Sequence, residues 1–364
     1  MGFRLLHQPG CARTSRQISR REQRVTADQE QVMPQLRKDP VLKQWVIISP
    51  ERGKRPSDFK RLEIVEESGK ECPFCEGNEQ MTPPETLSFR TAGTSANKKG
   101  WWVRVVPDSS PILKPEGDSG REGIGMFDAM NSIGIHEMVI ESPHHKTDIC
   151  NATFEQVREV IWAYKQRLLE IKKNPRYKHF MIVKNSGVGL SSMSHSHSHI
   201  VATPIIPKRI EEELEGAREY YHYHDRCLFC DIVKQESKDG ARVVHESDDF
   251  IVFCPFASRF PFEMEITPKS HMPFFELIEN EQVFGFATAL QTALRKLETL
   301  LPGQPYNFVL HTSPCSDSYR DFYHWHIELI PKLTKIAGFE WGSGFYINPT
   351  PPEDAAELLR EAKI

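Results

Sequence analysis

The sequence predicts an α+β protein built from two related halves, each an antiparallel sheet with helices packed against it. Three observations predict this. First, four motifs recur in the same order. One half reads C-P-F-C (72–75), E-M-V-I-E-S-P-H-H (137–145), F-M-I-V-K-N (180–185) and H-S-H-I-V-A-T-P (197–204). The other reads C-L-F-C (227–230), E-M-E-I-T-P-K-S-H (263–271), Y-N-F-V-L-H (306–311) and H-W-H-I-E-L-I-P (324–331). A shared internal order is the signature of a duplicated unit, and the common H-x-H-x4-P sets His197 against His324. Second, short apolar strand-like runs are interleaved with long segments of helical period. Third, 364 residues correspond to about two domains. The halves are expected to share one continuous sheet, over residues 34–208 and 209–364.

Element by element, residues 44–48 (Q-W-V-I-I) read as a short strand stopped by Ser49-Pro50. Residues 101–106 and 137–141 read as strands. Residues 153–172 carry Val157, Ile161, Tyr164, Leu168 and Ile171 on one helical stripe. Residues 180–183 read as a strand, followed by a Gly/Ser loop and a strand-like run over 194–203. Helices are expected over 210–221 and 280–300, and strands near 307–311 and 325–330. Residues 1–33 stand apart. Six arginines between Arg4 and Arg24 face a single acid, Glu22, and no apolar stretch suggests a secretory signal. A disordered extension, a misplaced start or a transit segment would each look like this.

Composition narrows the function. A net charge of −4 argues against a dedicated nucleic-acid binder. No apolar run approaches the roughly 18–20 residues of a membrane span. The expectation is a cytoplasmic protein that meets neither nucleic acid nor membrane. Small anionic ligands stay open. The unusual counts are 8 Cys and 15 His. Half of the cysteines fall in the two C-x-x-C pairs, Cys72/Cys75 and Cys227/Cys230, which in an enzyme-sized chain without a secretory signal reads as metal or redox chemistry.

In S-H-S-H-S-H (194–199) the side chains alternate along a strand, so His195, His197 and His199 face one side and the serines the other. Three imidazoles on one face fit a surface cluster, a metal site, or a mixed site with one ligand and one reacting group. The mixed site is favoured, because apolar Ile200, Val201 and Ala202 follow at once. A neutral imidazole is a competent nucleophile towards phosphorus, given an orienting hydrogen bond on its other nitrogen. The small-residue loop 185–194 could bring backbone N–H groups close to a phosphate. A C-x-x-C pair binds Zn²⁺ well with two further ligands. His145 and His195 are candidates for the first pair, and His271, His311, His324 and His326 for the second. The basic run R-G-K-R-P (52–56) is either a solvated loop or a guanidinium clamp for phosphate.

With R-x-K-R-P, C-P-F-C, H-E-M-V-I-E-S-P-H-H (136–145), S-x-S-H-S-H (192–197), H-W-H-I-E-L-I-P and A-G-F-E-W-G-S-G-F-Y-I-N-P (337–349), the chain resembles the galactose-1-phosphate uridylyltransferase family of the histidine-triad superfamily over roughly residues 36–360. The resemblance implies two histidine-triad-like halves and ping-pong transfer. His197 would take UMP from UDP-glucose as a uridylyl-histidine and pass it to galactose 1-phosphate, as in galactose metabolism. It implies zinc on Cys72, Cys75, His145 and His195, and a second metal, zinc or iron, on Cys227, Cys230, His271 and His324. Arg52, Arg55, Asp108, Asn185, Ser192, His199, Lys335, Phe339 and Glu340 fall on positions that bind the nucleotide sugar and sugar phosphate. Family members are typically dimers.

The chain departs from the family at three places. His199 replaces a common Gln, Asp108 a common Asn, and a hexose-contacting Gln is missing from the loop 341–346. A similar subfamily, the ADP-glucose phosphorylases, has much the same C-terminal loop and the second C-x-x-C. Its chemistry passes an adenylyl group from the same type of histidine to inorganic phosphate. A third expectation is a zinc-stabilised nucleotide-binding protein without turnover.

Overall fold

A computed structural model describes residues 33–53, 56, 59 and 72–364. Residues 1–32 of the arginine-rich extension, and Arg55, lie outside the described residues. The strands in chain order are β1 (Gln35–Lys38), β2 (Trp45–Ile48), β3 (Leu87–Arg90), β4 (Trp101–Pro107), β5 (Glu122–Ile124), β6 (Phe127–Ala129), β7 (Ile135–Ile140), β8 (His179–Ser186), β9 (His197–Thr203), β10 (Val243–Glu246), β11 (Phe250–Phe253), β12 (Met264–Pro268), β13 (Tyr306–His311), β14 (His326–Pro331) and β15 (Tyr346–Asn348). The helices are α1 (Phe154–Lys172), α2 (Lys208–His224), α3 (Leu228–Asp239), α4 (Asn280–Leu300), α5 (Gly338–Ser343) and α6 (Pro352–Glu361). The α+β class and the large antiparallel sheet are those the sequence predicts.

Ten strands form one sheet in the order β10-β11-β12-β14-β13-β8-β9-β7-β4-β3. Read outward from the β8·β13 seam, the two sides have the same plan. β8, β9, β7, β4 and β3 mirror β13, β14, β12, β11 and β10, with every neighbour antiparallel. One face is covered by α1 and α4, which pack side by side. The Thr153 hydroxyl accepts the Gln156 N–H and starts α1. The predicted stripe Val157, Ile161, Tyr164, Leu168 and Ile171 is buried. A capping box between Glu279 and Gln282 starts α4, and Phe154 meets Phe284 at 4.6 Å between ring centroids. These helices share one apolar core with Phe180, Ile182, Ile200, Phe308, Leu310 and Trp325 of the sheet.

A separate three-stranded sheet, β1-β2-β15, joins the start and end of the described chain. It lies against α2 because Gly216 has no side chain. A Cβ there would stand 1.9 Å from the Val41 carbonyl oxygen. No helix among the described residues is long and apolar enough to cross a membrane.

Two expectations need correction. The run 194–203 is not all strand, since β9 begins at His197. Residues 194–196 turn aside, with the Ser196 carbonyl accepting the Glu141 N–H at 3.3 Å. The internal repeat is also displaced by two residues from the H-x-H-x4-P match. Val183 pairs with His199, whereas its counterpart in the repeat, Val309, pairs with Glu328. The structure therefore sets His195 against His324, His197 against His326, and His199 against Glu328. The sequence match set His197 against His324.

Candidate active site

His197 opens β9 at the centre of the sheet face opposite α1 and α4. Its neighbours alternate as the strand requires. Ser196 and Ser198 point to the helical side, where the Ser196 hydroxyl donates to Glu141 at 2.5 Å and Ser198 Oγ meets Tyr164 Oη at 2.7 Å. His197 and His199 point the other way, with ring centroids 5.1 Å apart. His197 is buried, and its Nδ1–H donates to the His195 carbonyl at 2.8 Å. That bond fixes the tautomer and leaves the Nε2 lone pair unprotonated. Burial lowers the His197 pKa below the usual histidine value, which keeps the ring neutral. The edge of Phe74, from the C-P-F-C knuckle, covers it at 5.2 Å.

Behind this histidine lies a buried ion pair that the sequence does not announce. Lys184 Nζ donates to Glu141 at 2.6 Å, to Ser196 Oγ at 2.9 Å and to the His197 carbonyl at 3.1 Å. Burial alone would raise the Glu141 pKa, but the Lys184 ammonium, the Ser196 hydroxyl and His197 together hold the carboxyl below its usual range.

Two Cys/His clusters flank the sheet. Cys72, Cys75, His145 and His195 bring their donor atoms within 4.8 Å of one another. Cys72 Sγ and Cys75 Sγ each lie 3.5 Å from His195 Nδ1, and Cys75 Sγ lies 3.5 Å from His145 Nδ1. A tetrahedral zinc with Zn–S and Zn–N bonds of about 2.3 and 2.0–2.1 Å would have S···N edges of about 3.6 Å. The outer shell fits as well, since His195 donates Nε2–H to the Ser142 carbonyl at 2.8 Å. Burial holds the His195 pKa down to about 4, so the ring is neutral, as a ligand must be. Cys227, Cys230, His271 and His324 form the second cluster. Cys230 Sγ lies 3.4 Å from His271 Nδ1 and 3.6 Å from His324 Nδ1, and His271 donates Nε2–H to the Arg320 carbonyl at 2.8 Å. Both quartets fit a divalent metal with no position left open.

His311 and His326, the competing candidates for the second cluster, are placed elsewhere. His326 repeats the His197 arrangement, with Nδ1–H donating to the His324 carbonyl at 3.1 Å and Phe229 at 5.3 Å. Its face is closed. Glu213 of α2 lies 3.1 Å from His311 Nδ1 and accepts the Tyr323 hydroxyl at 2.7 Å. Glu328 is held by Arg209 at 2.8 Å and Arg259 at 2.9 Å. This buried ionic group lies beside His326, where His197 has His199 and, behind it, His136 for neighbours. Sequence reasoning missed Glu213, Glu141 and Lys184, because their partners lie on other elements.

The remaining predicted site residues divide. His199 lies beside His197, and its Nδ1 meets His136 Nε2 at 3.1 Å. Asp108 Oδ2 lies 3.5 Å from the same His136 nitrogen. Asn185 sits on the seam, where its side-chain oxygen accepts from Asn307 at 2.6 Å. Arg52 is exposed in a 3-10 turn after β2. Ser192 is exposed in the Gly/Ser loop. Two of that loop's amides, Leu190 and Ser191, are already donated to the Gly187 carbonyl, which reduces the N–H groups available to a phosphate. Lys335 and Phe339 are exposed, and Glu340 caps α5 through the Ala337 N–H at 2.9 Å. Among the described residues, no hydrogen bond or ring contact joins these three to the His197 group.

A duplicated antiparallel sheet that presents a neutral, tautomer-fixed histidine beside Cys/His clusters is the framework of a nucleotidyl-transferring enzyme, and the relatives of this chain are enzymes of that class. The model of the galactose-1-phosphate uridyl transferase N-terminal domain matches residues 23–207, and that of the C-terminal domain matches residues 213–360. The chain belongs to the galactose-1-phosphate uridyl transferase family. It is 35% identical over 342 residues to an ADP-glucose phosphorylase of Arabidopsis thaliana, covering 92% of this chain and 95% of that one. It is 29% identical over 342 residues to a galactose-1-phosphate uridylyltransferase of Thermotoga maritima, covering 91% and 99%. Among solved structures, an Arabidopsis thaliana ADP-glucose phosphorylase with bound ADP-glucose superposes with a TM-score of 0.77 at 34% identity, over 91% of this chain and 100% of that one. A uridylyltransferase structure gives 0.70 at 27% identity, over 91% and 98%.

Proposed function

We propose that this chain transfers a nucleotidyl group through a covalent intermediate on His197 Nε2, with ADP-glucose as donor and inorganic phosphate as acceptor. The observation that carries the reading is the 2.8 Å bond from His197 Nδ1–H to the His195 carbonyl, which leaves the Nε2 lone pair of a neutral ring free to act as nucleophile. Nε2 attacks the α-phosphorus, the P–N bond forms, and glucose 1-phosphate leaves. Phosphate then attacks the same phosphorus, the P–N bond breaks, ADP leaves, and His197 returns to neutral imidazole. His199 and Asn185 are assigned to the transferred phosphoryl group, and Arg52 and Arg55 to its charge. Ser192, Asp108, Lys335, Phe339 and Glu340 are assigned to the nucleotide sugar.

Cys72, Cys75, His145 and His195 would hold one Zn²⁺, and Cys227, Cys230, His271 and His324 a second metal. Bound metal supplies rigidity there. In the first site that rigidity reaches the reaction, because His195 provides the carbonyl that orients His197. The reading includes a homodimer, the state the family resemblance implies. The reading carries a cytoplasmic location with it.

Adenylyl chemistry is favoured by the 35% identity to the phosphorylase. UDP-glucose:galactose-1-phosphate uridylyl transfer is the second reading, favoured by family models that match both halves. The test is to supply ADP-glucose with phosphate, and separately UDP-glucose with galactose 1-phosphate, and measure released glucose 1-phosphate. Turnover of the first pair at least tenfold above the second supports the proposal. The reverse order supports uridylyl transfer, and turnover of neither overturns both.

A further inference from the structure

Asp108, His136 and His199 bring three donor atoms within 4.8 Å of one another beside His197, and no role so far accounts for His136. The backbone decides what the group is. The Ile112 N–H donates to His136 Nδ1 at 3.3 Å, so that nitrogen is an acceptor and carries no proton. A neutral imidazole keeps its proton on the other nitrogen, so His136 is protonated at Nε2. That Nε2–H points at His199 Nδ1, 3.1 Å away, with Asp108 Oδ2 at 3.5 Å as a second acceptor. His199 Nδ1 therefore accepts, and His199 carries its proton on Nε2.

A metal on this triad is disfavoured by the same geometry. A histidine that ligates through Nε2 donates Nδ1–H to an oxygen, as His195 and His271 do with their opposite nitrogens towards carbonyls. His136 faces an N–H there instead. Burial holds the His199 pKa down to about 4, with the neighbouring His197 and His136 adding to the effect, so the ring is neutral. Asp108 is itself fixed, since its Oδ1 accepts the Ser110 N–H at 2.7 Å and its own N–H donates to the His136 carbonyl.

We propose that His136 is a positioning residue that locks His199 as an Nε2–H donor, aimed at a phosphoryl oxygen of the group transferred through His197. The chain of hydrogen bonds runs from the Ile112 amide through both rings, so His199 acts as a fixed donor and not as a proton acceptor. The role of the donor rests on the nucleotidyl-transfer reading above, whereas the tautomers do not.

The test uses the full metal-loaded chain with ¹⁵N-labelled histidine. Imidazole spectra should show His136 and His199 both protonated at Nε2 and bare at Nδ1. Protonation of either at Nδ1 overturns the proposal. Two variants then read function. His136→Gln keeps an acceptor for Ile112 and a donor for His199, and should stay within about threefold of the parent kcat/KM for the nucleotide sugar. His136→Leu should lose about tenfold or more, with an unchanged melting temperature. Equal activity of the two variants overturns the proposal. So does a third bound equivalent of Zn²⁺ that Asp108→Asn removes. If no adduct forms on His197 with either nucleotide sugar, the proposed function fails while the tautomer measurement still stands or falls by itself.

Discussion

His326 stands at the strand position in the second half that His197 holds in the first. Each donates Nδ1–H to the carbonyl two residues earlier, at 3.1 and 2.8 Å, and each is covered by the phenylalanine of a C-x-F-C knuckle. Their surroundings differ in kind. His197 lies beside the imidazole of His199, whereas His326 stacks on His311, which is held in an ionic group of Glu213, Glu328, Arg209 and Arg259.

The first prediction follows from that difference. His197→Gly should abolish nucleotide labelling of the protein and leave metal content intact. His326→Asn should keep the label, and lower stability by about 1–3 kcal/mol through partners left unsatisfied in a buried group. Mass spectrometry of the labelled protein, with denaturant melts, checks both.

The two Cys/His clusters should respond differently to loss of a ligand. Cys72→Ser and Cys227→Ser should each remove about one metal per chain, measured by elemental analysis, and each should lower the melting temperature, because metal binding couples directly to folding. Only the first sits next to His197, the proposed nucleophile. Cys72→Ser should therefore cut kcat well beyond Cys227→Ser at a temperature where both stay folded. Equal kcat losses would contradict the link from the first cluster to His197 through the His195 carbonyl.

Lys184 and Glu141 give a pH prediction with a definite sign. Burial raises the Glu141 pKa, Lys184 with Ser196 and His197 more than offsets it, and the folded value lies below the ordinary 4.5. The pair's stabilisation is thus complete above about pH 4.5 and is lost as pH falls through the lower folded value. Lys184→Met leaves an unpaired buried carboxylate and should cost about 3–5 kcal/mol at pH 7. With the ammonium gone, burial, the largest influence on Glu141, raises its folded pKa and the sign reverses, so the variant should regain stability as pH falls from 7 towards 5. Urea titrations across that range separate the two slopes. Adding Glu141→Gln to Lys184→Met should flatten the dependence.

The two long helices were legible in the chain because their apolar stripes and caps are local features. The duplicated plan was legible too, since four motifs keep their order. Register was harder. Along a strand, a shift of two residues returns every side chain to the same face, so the histidine-rich runs at 194–199 and 324–326 match equally well when slipped. Only the cross-strand partners, Val183 with His199 and Val309 with Glu328, fix it. The C-x-x-C halves of the Cys/His quartets were readable because that spacing carries its own chemistry, whereas the histidines of the second quartet, with His271, His311, His324 and His326 all eligible, came only with the family resemblance. His136, Lys184 and Glu213 were not, because each acts on a residue that only the folded sheet brings near.

The central claim is that the nucleotide is carried on His197 Nε2. The most direct measurement is to mix the protein with ADP-glucose in the absence of phosphate, quench in base, digest, and locate the adduct by mass spectrometry. The account predicts AMP in phosphoramidate linkage on the peptide that contains His197, labile to acid and discharged as ADP when phosphate is added before the quench. A nucleotide adduct on any other residue, or rapid glucose 1-phosphate release with no adduct at all, would contradict it.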